Sequence, residues 1–172
     1  MTTAYTATRW AVYAATSAAA GATLSGLVFV AVSINLNRIL GHPSLPVRAW
    51  QTLGLLLTPL LVGLLVLVPG QSGTVLAWEL IGLAVVFGGL RVAIHRRASL
   101  SEKDTPLPLV GHLAGSVSAL VPAAVSYACL AVAGATLLAR SGGGLYWLVP
   151  SILVAILFGL INAWALLVAV RP

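Results

Sequence analysis

Residues 23–40 read TLSGLVFVAVSINLNRIL. The stretch is apolar enough for a bilayer, yet it gathers Ser33, Asn35 and Asn37 at membrane depth, just before Arg38. A helix turns about 100° per residue. With Gly26 as zero, Ala15, Ala19, Ala22, Val30, Ser33 and Asn37 fall within about 40° of it, on one face. That face is made almost entirely of small residues and ends in two hydrogen-bonding groups, whereas Asn35 points to the opposite side. An amide in hydrocarbon costs several kcal/mol, of order 4, without a partner. The stretch therefore predicts a helix with protein or water on two sides. Either it packs centrally, bonding to neighbouring helices, or Ser33 and Asn37 line a polar pathway.

Composition extends this reading to the whole chain. The 172 residues are 60% hydrophobic and 7% charged, with a mean hydropathy of +1.06. A soluble domain carries about 25% charged residues. The longest polar stretch is the fourteen residues from His95 to Pro108, too short for a soluble domain. A net charge of +6 would suggest nucleic acid in a soluble protein. Basic loops flanking membrane helices explain it here, and no nucleic-acid partner is expected.

About 20 apolar residues cross a bilayer as a helix. The chain supplies five such segments, at about 10–40, 49–68, 75–94, 109–139 and 145–170. The predicted fold is all-α: a single transmembrane domain, a bundle of five helices. The apolar run after Arg9 continues past Ala18-Ala19-Ala20 to Leu36, too long for a cleaved signal, so it reads as an uncleaved first span. The Thr-rich tail before Trp10 reads as frayed. The second span, rich in leucine, reads as the lipid-facing one, with a kink at Pro59. Ser141-Gly142-Gly143-Gly144 reads as a flexible turn.

Lysine and arginine set the orientation. Arg38, Arg48, Arg91, Arg96, Arg97, Lys103 and Arg171 fall on one side, and only Arg9 and Arg140 on the other. Seven against two places the N-terminus outside and the C-terminus in the cytoplasm. Arg91, Arg96, Arg97 and Lys103 then form a basic cytoplasmic face, mixed with Glu102 and Asp104.

Small residues let membrane helices approach closely. They recur as Gly82 and Gly89 on the third span, as Gly111, Gly115, Ser118, Pro122, Ser126, Cys129 and Ala133 on the fourth, and as Ser151, Ala155 and Gly159 with Asn162 on the fifth. They predict a tight bundle of spans one, three, four and five, or contacts between subunits.

Glu79 is the one acid within a span, about one turn from the outer end of the third. Its expected partner is Arg140 or Arg9 at the same outer level, in a structural ion pair. At the inner level Ser33, Asn35, Asn37, Gln51, Arg91, His112 and Asn162 send polar groups to one depth. They form either a polar vestibule or the hydrogen-bond layer near the headgroups. No run of His, Cys, Asp and Glu has metal-ligand spacing, no catalytic triad can be placed, and no phosphate-binding loop is present. No cofactor and no enzymatic activity are expected.

Residues 26–36 (GLVFVAVSINL), the start of the second span (Pro46-Val47-Arg48-Ala49) and the turn Val68-Pro69-Gly70-Gln71 are similar to a family of short, uncharacterised bacterial membrane proteins. Some members are labelled modulators of a membrane-bound protease. The resemblance covers about the first 75 residues. It implies a non-enzymatic protein of the bacterial inner membrane, without catalytic residues. From the residues themselves, the small-residue faces, minimal loops and lack of an extramembrane domain leave two functions as expectations. One is a homo-oligomeric channel or permeation path with Ser33 and Asn37 at its axis. The other is a regulatory or assembly subunit that docks on another membrane protein.

Overall fold

The computed structural model describes residues 3–41, 45–101 and 109–169, with side chains except at 95, 97–101, 109–119 and 169. Among the described residues six α-helices follow one another: α1 (Ala11–Ile34), α2 (Leu36–Leu40), α3 (Leu45–Val66), α4 (Gly73–Ser101), α5 (Leu109–Ala139) and α6 (Leu148–Ala169). Short 3-10 turns precede α1 and α6, and no strand occurs among the described residues. Five of the described helical segments are long and apolar enough to cross a membrane. The first predicted span is divided, because Asn35 leaves helical geometry at φ −104° and ψ 17°. Its side-chain Nδ2 donates to the Ala31 carbonyl at 2.9 Å. Asparagine competes in this way for a carbonyl that the backbone would otherwise use.

Contact runs from α1 to α3, from α3 to α6, from α6 to α5 and from α5 to α4. The central helix is therefore α3, the leucine-rich one expected to face lipid. Half of its apolar window is buried inside the bundle, against 28% for the first span. Leu55 and Leu56 are fully buried. Leucine is as compatible with a packed interior as with lipid, so composition could not decide the matter.

Glycines set the closest approaches. A Cβ on Gly63 of α3 would lie 2.4 Å from the Ala14 carbonyl of α1, and one on Gly21 of α1 would lie 2.8 Å from the Leu60 nitrogen of α3. Gly134 brings α5 onto Ala77 and Ile81 of α4 in the same way, and Gly159 brings α6 onto Leu56. In α5 and α6 the predicted small-residue faces turn inward: Ser126, Ala133, Ser151, Ala155 and Gly159 are buried. Gly111, Gly115 and Ser118 lie outside the described side chains. The third-span pair behaves otherwise, since nothing lies within 4 Å of a Cβ on Gly82 or Gly89.

The end of the bundle that carries residues 3–10 is more ordered than the sequence suggests. Residues 3–10 form two 3-10 turns, with Ala4 and Trp10 buried. The Trp10 indole donates to the Thr3 carbonyl at 3.0 Å and meets the Tyr146 ring edge-on at 4.9 Å. Gly142, Gly143 and Gly144 all take positive φ. Gly144 lies so close to Ala4 that a Cβ there would be 2.4 Å from its carbonyl oxygen. The expected frayed tail and flexible turn are thus docked on one another.

Candidate functional surface on α1

The face of α1 singled out in the sequence points away from the bundle. The helix buries Ala14, Ser17, Ala18, Gly21, Ser25 and Val28, mostly against α3. Around the other side Ala15, Ala19, Ala22, Gly26, Val30, Ser33 and Asn37 are all exposed. Nothing lies within 4 Å of a Cβ on Gly26. Central packing, the first expectation for this helix, is therefore not what the fold gives it.

Several hydroxyls bond within their own helix. Ser33 donates to the Phe29 carbonyl at 2.8 Å and Thr23 to Ala19 at 2.9 Å. Thr52, Thr58 and Thr136 bond back to the preceding turn in the same way. Such bonds let a hydroxyl rest at membrane depth without a neighbouring helix.

Of the polar residues expected at one inner level, Arg91 and Gln51 meet, while Ser33, Asn35, Asn37 and Asn162 do not gather at one site. Ser33 and Asn37 face outward and Asn162 is half-buried. Asn35 lines an apolar slot of about 520 Å³ between α1, α2 and α6, floored by Leu56 of α3. Arg91, expected on a cytoplasmic face, is 7% exposed inside the bundle. Its guanidinium donates to the Gln51 carbonyl of α3 at 3.4 Å, beside Tyr127 of α5. A long side chain can reach inward as well as outward, and here a backbone carbonyl takes it. Arg96 is exposed. Lys103 lies outside the described residues, as do the side chains of Arg97 and His112.

Near the start of α4 the Glu79 carboxylate accepts a hydrogen bond from the Gln71 amide, in the turn before its own helix. Arg9 donates to the Thr3 hydroxyl instead. Among the described residues neither Arg9 nor Arg140 forms the expected ion pair with Glu79. Arg140 ends α5 with φ +50°, and its side chain is exposed. The sequence held a signal for the Gln71 contact: an amide eight residues before the only acid within a span, across a tight Gly turn.

No group of three or more His, Cys, Asp or Glu side chains converges among the described residues. No protein-family model matches the chain, and no curated protein or solved structure is significantly similar to it.

Proposed function

We propose that this is a non-enzymatic multi-pass protein of the bacterial inner membrane, with its N-terminus outside, that works as a homo-oligomer joined through the outward face of α1. The exposed face around Gly26 carries the reading. A glycine inside a helix costs about 1 kcal/mol relative to alanine. Gly21 and Gly63 are needed for close approach within the chain, and Gly26 is not. An exposed small-residue face suits a helix from another copy, because membrane helices associate where backbones can come close. Ser33 lies on this face and the exposed Asn37 follows it on α2, so copies arranged around an axis would line it with polar groups. Leu55, Leu76, Leu80 and Leu130 fill the interior of the single bundle, which argues for any path lying between copies.

The mass of the protein in lipid nanodiscs tests this directly. A closed ring of four or more copies is expected. In vesicles, S33L/N37L should abolish flux of a small-solute or ion panel through the wild-type ring. A monomer in nanodiscs would sink the proposal.

A second reading keeps the surface and changes the partner: a regulatory or assembly subunit docking on another membrane protein. The Ser33–Phe29 bond favours it, because a hydroxyl already satisfied within its helix allows a dry contact. In that case S33L/N37L alters partner binding and there is no flux to lose.

A further inference from the structure

We propose that the slot between α1 and α6 binds one anionic phospholipid, with an acyl chain along the slot and the phosphate at its basic end. The inference does not depend on the oligomer, because the slot occupies a different face of α1. Relative to Gly26, the lining residues Leu24, Leu27, Ala31 and Asn35 fall at about 100–180°, clear of the Ser33 and Asn37 face.

The shape suits a hydrocarbon chain. Both α1 and α6 pack on α3 but meet each other only slightly, so they diverge over it. Val28, Leu56 and Ala163, all buried, make the floor. Along the first span the lining runs from Leu24 to Ile39, about 20 Å at 1.5 Å per residue. One leaflet of hydrocarbon is about 15 Å deep. A volume of about 520 Å³ spread over that length makes a narrow groove. That admits an alkyl chain, which is slimmer than a helix of about 10 Å.

The chemistry is graded along the slot. Among its lining side chains only Asn35 and the Trp164 ring carry a polar atom. Tryptophan marks the headgroup level of membrane proteins. One turn beyond Asn35, α2 carries the exposed Arg38, and the exposed Arg48 lies beside Ala49, which packs in one cluster with Ile39 and Leu166. Two guanidiniums at the polar end of an apolar slot complement a lipid phosphate that bears net negative charge.

The test is native mass spectrometry of the protein released from nanodiscs of phosphatidylglycerol and phosphatidylcholine at 1:3, as an input ratio of about that value. The wild type should retain one phosphatidylglycerol, enriched at least fivefold over input. R38Q/R48Q should keep a lipid and lose the enrichment. A31W, which fills the slot from its α1 wall, should lose the lipid, while V85W, at an exposed position of α4 that lines no part of the slot, keeps it. Retention at the input ratio by the wild type would overturn the proposal, as would equal retention by A31W and V85W. If A31W does not fold, the comparison of the wild type with R38Q/R48Q still decides the matter. A lipid-free wild type whose slot is closed by a second copy would also overturn it.

Discussion

Ser126 of α5 and Ser151 of α6 exchange hydrogen bonds with each other's backbone: Ser126 Oγ donates to the Ser151 carbonyl at 2.9 Å, and Ser151 Oγ to the Ser126 carbonyl at 2.8 Å. The two hydroxyl oxygens stand 3.3 Å apart, and both residues are fully buried. This reciprocal clasp ties two spans where small side chains have already brought their backbones close.

Removing one hydroxyl leaves the other bond intact. S126A is therefore expected to destabilise the protein by only about 0.6 kcal/mol, the average for an interhelical hydrogen bond in a membrane. S126L must force the helices apart, and overpacking costs about 1–3 kcal/mol. Reversible unfolding in mixed micelles checks the order. Equal losses for the two variants would show that the clasp, rather than the close packing, sets the stability of this contact.

The glycines of the first two spans should separate by the same logic. G63A places a methyl group 2.4 Å from the Ala14 carbonyl, a backbone atom that cannot swing aside. It should open the α1–α3 contact and cost about 2 kcal/mol. G26A meets nothing and gains helix propensity of about 1 kcal/mol. Melting of the isolated chain in detergent should fall for G63A and hold or rise for G26A. In nanodiscs, a bulkier G26L should reduce the copy number if α1 is the contact between copies.

These two glycines also show where sequence reading stops. Five spans were legible because about 20 consecutive apolar residues have few other uses. The inward faces of the fourth and fifth spans were legible where Ser126, Ser151 and Gly159 repeat at helical spacing. Which helix is central was not. In water an apolar face must turn inward, but in hydrocarbon Leu55 and Leu56 can lie on either side. Gly21 and Gly26 differ by five residues and look alike as sequence, yet one lies against α3 and the other against nothing. Arg91 shows the same limit, since a basic residue near a span's end suits the headgroups and also a carbonyl inside the bundle.

The Gln71–Glu79 contact makes an asymmetric prediction. E79Q removes the charge and keeps a group able to accept from the Gln71 amide, so about 1 kcal/mol or less should be lost. Q71L leaves a half-buried carboxylate without this donor and should cost more, about 1–3 kcal/mol. R140Q should be close to neutral, because Arg140 is exposed and forms no ion pair with Glu79. Denaturation of the three variants side by side provides the check. A loss for R140Q as large as that for Q71L would restore the ion pair inferred from the sequence.

The cap formed by residues 3–10 should release from one position. Gly144 combines a φ of +53° with Ala4 and Tyr5 as close neighbours. G144A therefore carries both backbone strain, about 1 kcal/mol or more for a residue with a Cβ, and a clash with the Ala4 carbonyl. The bundle below it relies on other contacts, including the Ser126–Ser151 clasp and the Gly134 approach to α4. The substitution should undock residues 3–10 and leave the spans folded. Cleavage by an added protease within the first ten residues should speed up at least tenfold, while the helical signal stays unchanged. Unaltered cleavage would mean that Trp10, buried and edge-on to Tyr146, holds the segment by itself.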